Sequence, residues 1–249
     1  MARMLFRYKE TFMIWRIYEG FKSSIKNLNP FEKKLWLLSV VIVTFSFLIF
    51  RSENLMTLVA SLIGVTALIF VAKGDVLGQI LTIVFSLLYS LISFGFAYYG
   101  EMITYMGMTA PIALLSVITW LRNPYSEKQV KIRKLSSKQY ILLLIVSLFV
   151  TWIFYYILLY FNTSNIVFST ISVTTSFLAS SLMMLRDSYY ALAYAANDLV
   201  LIVLWVMATL ENISYVSMIA CFSIFFINDI YGYINWSRMK KIQGKQPTV

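Results

Sequence analysis

The stretch YYALAYAANDLVLIVLW, residues 189–205, decides the fold of this chain and poses its main question. Its length and apolarity are typical of a helix that crosses a lipid bilayer, which needs about twenty residues. Two polar residues, Asn197 and Asp198, nevertheless lie in its middle, where burial of a polar group is most costly. Membrane helices keep such residues where they face a cavity, a ligand or a neighbouring helix. This stretch therefore predicts a polar site inside a membrane protein.

The rest of the chain repeats the apolar pattern of that helix. Of its 249 residues 60% are hydrophobic and only 13% are charged, whereas soluble domains carry about a quarter of charged residues. We expect an all-α polytopic membrane protein rather than a soluble domain. Eight transmembrane helices are predicted, at about 35–50, 55–72, 76–99, 102–121, 139–161, 165–185, 188–210 and 212–236.

The placement of basic residues tests the count of eight helices. If both termini are cytoplasmic, every Lys and Arg except Arg51 lies on the cytoplasmic side, as the positive-inside rule requires. An odd number of helices would spoil this distribution. The net charge of +10 is therefore a topology signal, and no nucleic-acid partner is expected.

Two parts of the chain resemble each other. Both start with a basic residue and an Asp at the inner face, have a Glu in an outer turn, and end in Trp-x-Arg. The matching residues are Asp75 and Asp187, Glu101 and Glu211, and Trp120 and Trp236. One helix between them lets both run in the same direction, so we expect parallel repeats, which place a transported substrate near the bilayer midplane. We interpret the two Trp residues as anchors in the aromatic belt of the membrane interface.

The predicted organisation follows from the helices and the repeat. In order, it comprises a basic amphipathic cytoplasmic segment (1–34), an extra N-terminal helix (35–50), a first three-helix repeat (51–121), a basic cytoplasmic loop (122–138), a linker helix (139–161), a second three-helix repeat (162–237) and a cytoplasmic tail (238–249). The repeats and their linker give a 3+1+3 arrangement behind the extra helix. Pro111 predicts a kink or hinge in the fourth helix.

The composition excludes several kinds of site. The chain has no His and a single Cys, Cys221, which excludes disulfides, His-based relays and the usual zinc sites. We expect no cofactor, no metal and no enzymatic activity. Asp198 and Asp229 are the acidic residues predicted to lie deep within spans, and each follows an Asn.

Helical spacing gathers polar and aromatic residues near these two acids, and such a mixture suits a flat, polar ligand. The predicted substrate-binding residues are Asn197, Asp198, Tyr190, Tyr194, Trp205, Asn228, Asp229, Gln79, Ser86 and Tyr89. Two alternatives remain open. The Asn residues, with the hydroxyl-rich stretch STISVTTSFLASS (169–181), could hydrogen-bond between helices, and Asp198 could carry a proton.

Several segments resemble the PnuC family of vitamin and nucleoside transporters: VLGQILTIVFSLLYSLISFGFAYYGEM (76–102), SVITWLRN (116–123), NDLVLIVLW (197–205) and FFINDIYGYINWSRM (225–239). The resemblance implies a fold similar to that of the SWEET sugar transporters and assembly as a homotrimer. It also implies facilitated diffusion of nicotinamide riboside across the bacterial cytoplasmic membrane, with trapping by a cytoplasmic kinase.

The seventh helix departs from the family pattern in its aromatic residues. Family members that carry nicotinamide riboside typically have Trp-x-x-Trp-x-x-x-Asn there, and the matching residues are Tyr190, Ala193 and Asn197. The Asn is kept and both Trp residues are replaced. Two alternatives to nicotinamide riboside uptake therefore stay open: a deoxynucleoside transporter of the same family, and a proton-coupled transporter that uses Asp198.

Overall fold

The computed structural model describes residues 20, 22–50, 55–96, 98–126 and 128–245. Residues 1–19 of the predicted amphipathic segment lie outside this part of the chain. The described residues are helical almost throughout, with a helix in each of the eight predicted intervals. These helices are α1 (Pro30–Ile49), α2 (Leu55–Lys73), α3 (Val76–Gly95), α4 (Tyr99–Leu121), α5 (Ser137–Tyr160), α6 (Ile166–Met184), α7 (Tyr190–Glu211) and α8 (Val216–Gln243).

Within the described residues, the helices from α2 to α8 are long and apolar enough to cross a membrane, which makes seven. The helix α1 has 20 residues but carries Glu32, Lys33 and Lys34 near its start, and it is not among the seven. The prediction of a helical, multi-pass membrane protein is thus confirmed by the helices from α2 to α8.

Two of the helices have irregular turns. Helix α4 contains a π-helical turn at Tyr105–Thr109, between the α-helical parts Tyr99–Thr104 and Ala110–Leu121. Pro111 lies two residues after the end of this turn, and its missing N–H frees a carbonyl in the preceding turn. A short 3₁₀ turn, Ile213–Tyr215, precedes α8.

The helices pack around one centre. Helix α3 lies against α2 and α4, helix α7 lies against α6 and α8, and α8 also packs on α2. Helix α6 contacts α4 and α5. Helix α5 stays at the periphery, where only Ser147 and Leu158 are buried among its residues.

The segment between α4 and α5 is more ordered than the plain loop predicted for 122–138. It forms an antiparallel ribbon of β1 (Pro124–Ser126) and β2 (Gln129–Val130). The Val130 N–H donates to the Gly74 carbonyl at 3.0 Å, and the Gln243 amide donates to the Val130 carbonyl at 3.1 Å. The ribbon therefore joins the α2–α3 turn to the end of α8, and we call this side of the helix bundle the ribbon end.

Two turns at the ribbon end have the same geometry. Gly74 follows α2 with φ +72°, and Arg186 follows α6 with φ +63°. The next residue, Asp75 or Asp187, donates its N–H to the carbonyl five residues back, at 3.0 Å in both turns. Each Asp side chain also accepts the N–H two residues ahead, at 3.0 Å. In both turns the helix is thus followed by one residue in the left-handed backbone conformation. The Asp that comes next caps the start of the following backbone segment with its side chain.

Two Trp residues cross between the halves of the chain at the ribbon end. The Trp236 indole N–H donates to the Val71 carbonyl at 2.9 Å, and the Trp120 indole N–H donates to the Met183 carbonyl at 3.1 Å. Each acceptor lies three residues before the left-handed residue of its turn. The interpretation of these residues as membrane-interface anchors is wrong, because belt residues face lipid headgroups and these rings are 0% and 1% exposed.

Candidate functional site

A small cavity lies at the centre of the bundle. Its polar lining residues are Thr82, Ser86, Thr109, Asp198 and Asp229, and its aromatic lining residues are Phe85, Tyr105, Tyr190, Tyr194 and Phe225. The water-accessible space is about 50 Å³, enough for a few water molecules. Pockets that enclose organic ligands measure about 300 Å³ or more, so the helices are closed around the site in this conformation.

The two buried acids face each other across this cavity. Asp198 on α7 and Asp229 on α8 are 4% and 3% exposed, and their carboxyl groups are within hydrogen-bonding reach of each other. A hydrogen bond between two carboxyl groups requires one proton, because an ionised carboxylate has no donor. Among the described residues, Asp198 Oδ2 has no hydrogen-bond partner. The pair therefore keeps acceptor capacity for a ligand.

Two tyrosines of α7 lie beside the acids. The Tyr194 hydroxyl is 2.9 Å from the Ser180 hydroxyl, which holds the ring against α6. The Tyr190 ring meets the Trp236 ring edge-on, with centroids 4.7 Å apart. Because Tyr190 also lines the cavity, it separates the cavity from the Trp pair at the ribbon end.

Tyr105 was not predicted as a site residue. It lies in the π-helical turn of α4 and lines the cavity, with its ring 4.5 Å from the Tyr89 ring. The signal available in the sequence was Pro111, which predicts a kink in this helix. The irregularity is a π-helical turn, and such turns often occur at functional sites. The pattern could not show which side chain the irregular turn directs inward.

Asn197, the other polar residue of the opening stretch, is bound to a neighbouring helix. Its side-chain oxygen accepts hydrogen bonds from Thr175 at 2.8 Å, Ser176 at 3.0 Å and Ser172 at 3.2 Å. All three hydroxyls belong to α6. The structure thus places Asn197 outside the cavity lining, in the interhelical role that sequence reasoning had left open.

Two other predicted site residues also lie outside the lining. The Asn228 amide donates to the Ser39 hydroxyl at 3.0 Å and to the Ile224 carbonyl at 2.8 Å, which ties α8 to α1. Gln79 is 0% exposed, and in the described part of the chain its amide oxygen and nitrogen have no hydrogen-bond partner.

Trp205 and Tyr89 lie in an aromatic cluster on the side of the bundle away from the ribbon. The Trp205 indole N–H donates to the Tyr89 hydroxyl at 3.0 Å, and its ring is 5.1 Å from Phe96 and 5.6 Å from Tyr98. Burial raises the pKa of Tyr98, and the Glu211 carboxylate raises it further. The Tyr98 hydroxyl therefore keeps its proton and donates to the Leu204 carbonyl. The packed rings of the aromatic cluster close this side of the cavity.

Glu101 is placed differently from the prediction of an outer turn. Helix α4 begins at Tyr99 rather than at about residue 102, and Glu101 is 1% exposed inside the bundle. Neither carboxyl oxygen has a hydrogen-bond partner among the described residues, although the Ser172 hydroxyl lies nearby. Its predicted counterpart Glu211 ends α7 and is exposed, so the two residues are not equivalent.

The sequence is similar to that of known membrane transporters. A family model described as nicotinamide mononucleotide transporter matches residues 54–238. A nicotinamide riboside transporter PnuC from Neisseria mucosa is 24% identical over 218 residues, covering 85% of this chain and 83% of that protein. The protein of the same name from Haemophilus influenzae is 22% identical over 220 residues, covering 87% and 94%.

The fold also matches a solved structure. The crystal structure of the vitamin B3 transporter PnuC aligns with a TM-score of 0.80 and 23% identity, covering 90% of this chain and 98% of that chain. At this level of identity the match establishes a shared fold.

Proposed function

Because this chain belongs to the nicotinamide mononucleotide transporter family, a family of transporters that includes PnuC relatives, we propose that it takes up nicotinamide riboside by facilitated diffusion. The observation that carries the proposal is the central cavity, where Asp198, Asp229, Tyr190 and Tyr194 converge. Aromatic rings beside hydrogen-bond acceptors suit a flat ring joined to a sugar.

In this proposal the cavity widens when the substrate enters. The rings of Tyr190 and Tyr194 pack on the nicotinamide ring. The carboxyl groups and Ser86 accept hydrogen bonds from the ribose and the amide or donate hydrogen bonds to them. The predicted residues outside the present lining reach the substrate only if the helices separate. They are Gln79, Tyr89, Asn197, Trp205 and Asn228.

A ligand panel tests the substrate. The purified protein is heated with nicotinamide riboside, thiamine, riboflavin, ribonucleosides or deoxynucleosides. A ligand that binds only the folded state stabilises it by about 2.7 kcal/mol at a hundredfold excess over its dissociation constant. We expect the melting temperature to rise with nicotinamide riboside. A rise with deoxynucleosides alone would assign the alternative substrate instead.

The carboxyl pair favours proton coupling as a second candidate function. The proton needed between Asp198 and Asp229 could be exchanged during transport, as in the predicted alternative. Uptake into proteoliposomes, measured with and without a proton gradient and with an uncoupler, separates the two mechanisms. Because the substrate is a cation, the membrane potential is held constant in all three conditions. Facilitated diffusion then predicts that the initial rate is the same in each of them.

We also propose that the chain contains two parallel three-helix repeats, α2–α4 and α6–α8, joined by α5. The matching turns and the reciprocal indole bonds support this. If the repeats are equivalent, Trp120→Phe and Trp236→Phe should destabilise the protein equally, by about 1 kcal/mol each, since each removes one buried hydrogen bond. Trp152→Phe is the control, because Trp152 is 57% exposed on α5. Unfolding midpoints that differ clearly between the first two variants contradict the equivalence.

Helix α1 supports a topology with eight spans and both termini in the cytoplasm. Its side chains Leu37, Phe45 and Leu48 are 59%, 62% and 69% exposed, which suits contact with lipid acyl chains. We propose that α1 crosses a bacterial cytoplasmic membrane. A cysteine introduced by Arg51→Cys in a Cys221→Ser background should then react with an impermeant thiol reagent added outside intact cells. Labelling only after lysis would exclude this topology.

Two further features are proposed on the family resemblance alone. The first is a homotrimer, which the mass of the detergent-solubilised protein tests. The second is trapping of the imported nucleoside by a cytoplasmic kinase, which requires accumulation in cells to stop when the kinase is deleted.

A further inference from the structure

We infer that the carboxyl pair of Asp198 and Asp229 is the counter-ion for a positively charged ring, so that the site selects cationic substrates over neutral nucleosides. The inference deepens the proposed function and rests on it for one of its probes. It concerns the charge of the substrate, whereas the family assignment concerns transport.

The charges buried in the bundle are all of one sign. Helices α3, α4, α6 and α7 contain no Lys or Arg, and α2 and α8 carry theirs at the ribbon end. Lys73, at the end of α2, is paired with Glu32 at 3.0 Å. The described part of the bundle therefore holds Glu101, Asp198 and Asp229 without an internal cation. Buried acids normally need a cationic partner or a proton.

The cavity lining completes a site for a cation. Asp198 Oδ2 is buried and has no hydrogen-bond partner among the described residues, and both carboxyl groups line the space. Aromatic rings of Tyr105, Tyr190 and Tyr194 border the same space. An aromatic face attracts a cation through its quadrupole, most strongly where water is excluded. A neutral nucleoside would stack on these rings but would leave the acids without a counter-charge.

Nicotinamide riboside and its reduced form are a matched pair of probes. The oxidised nicotinamide ring carries a fixed positive charge, and the reduced ring is neutral with nearly the same size and the same sugar. A difference in their affinities therefore measures the contribution of ring charge. Thiamine, whose thiazolium ring is also positively charged, provides a cation of different shape.

The experiment measures the dissociation constants of these three ligands by calorimetry on the full-length protein in detergent. We expect the oxidised form to bind about tenfold more tightly than the reduced form, or better. Because the pair shares one proton, either acid alone can still carry the negative charge, so both must be replaced. Asp198→Asn combined with Asp229→Asn preserves the shapes of the side chains and removes both acids. In that double variant the ratio of affinities should approach one, mainly through weaker binding of the oxidised form. Asp198→Leu combined with Asp229→Leu serves if the Asn double variant does not fold.

The outcomes separate the inference from the proposed function. Equal binding of the two forms of nicotinamide riboside to the wild type overturns the counter-ion role and leaves the transport proposal standing. Binding of thiamine alone, lost when both acids are replaced by Asn, supports the counter-ion role and rejects nicotinamide riboside as substrate. Binding of neutral nucleosides with no binding of either cation overturns both.

Discussion

Uptake of nicotinamide riboside should fall by about tenfold or more in Asp198→Leu and in Asp229→Leu, because each removes a charged hydrogen-bond partner worth about 1.5–3 kcal/mol. The protein should remain folded, because each variant removes one of two neighbouring acids of like charge, and the acid that remains can stay protonated. Initial uptake rates in proteoliposomes, normalised to the reconstituted protein, measure the loss. Size-exclusion chromatography in detergent reports the folded fraction.

The double variant of the two acids provides the internal control. Asp198 and Asp229 are in contact, and residues that act as a unit have non-additive effects. We therefore expect Asp198→Leu combined with Asp229→Leu to transport no worse than either single variant. A double variant whose residual rate is the product of the two single effects would show that the acids act independently. Normal transport by both single variants would place the substrate elsewhere.

Gly78→Ala should destabilise the protein by about 3 kcal/mol, at the upper end of the effect of overpacking, or prevent its accumulation. The added Cβ would overlap the Val71 backbone nitrogen and lie 2.6 Å from Val71 Cγ2 and 2.9 Å from the Phe70 carbonyl carbon. Backbone atoms cannot move aside as a flexible side chain can, so α2 and α3 would have to separate. The same shift would disturb the bond from Trp236 to the Val71 carbonyl.

Gly95→Ala is the matched control for this prediction. Gly95 is the last residue of α3, and a Cβ there would meet nothing within 4 Å. Ala also has a higher helix propensity than Gly, by about 1 kcal/mol, so this variant should be as stable as the wild type or slightly more so. Thermal unfolding of both variants compares them directly. Equal midpoints would mean that the close approach of α2 and α3 at Gly78 is not required.

The helices were largely predictable from the sequence because each is a long apolar block. Length and hydropathy depend on local composition alone, and so each predicted interval overlaps one observed helix, with ends that differ by at most seven residues. The segment 122–138 was harder, because a ribbon with strands of three residues or fewer leaves no periodic pattern. Glu101 was misplaced for a similar reason: a shift of about three residues in the start of α4 moves it from a turn into the bundle.

The site was only partly predictable. Stripes along α7 and α8 were found from helical spacing, and Tyr190, Tyr194, Asp198 and Asp229 do line the cavity. Spacing along one helix shows which residues share a face, but it does not show which residues of that face line the cavity. Trp205 therefore shares a stripe with Asp198 and yet packs in the aromatic cluster with Tyr89.

By itself, the sequence determined that this chain is a multi-pass helical membrane protein with acids buried in its spans, because the bilayer imposes length and polarity on every crossing segment. Tertiary structure decided what each buried polar group faces. Asp198 meets Asp229 across the cavity. Its neighbour Asn197 is rotated by about 100° around the helix axis and bonds to α6. The two residues are adjacent in the chain, but the helices that face them are different. Only the packing of those helices separates a side chain that lines the cavity from one that bonds to a neighbouring helix.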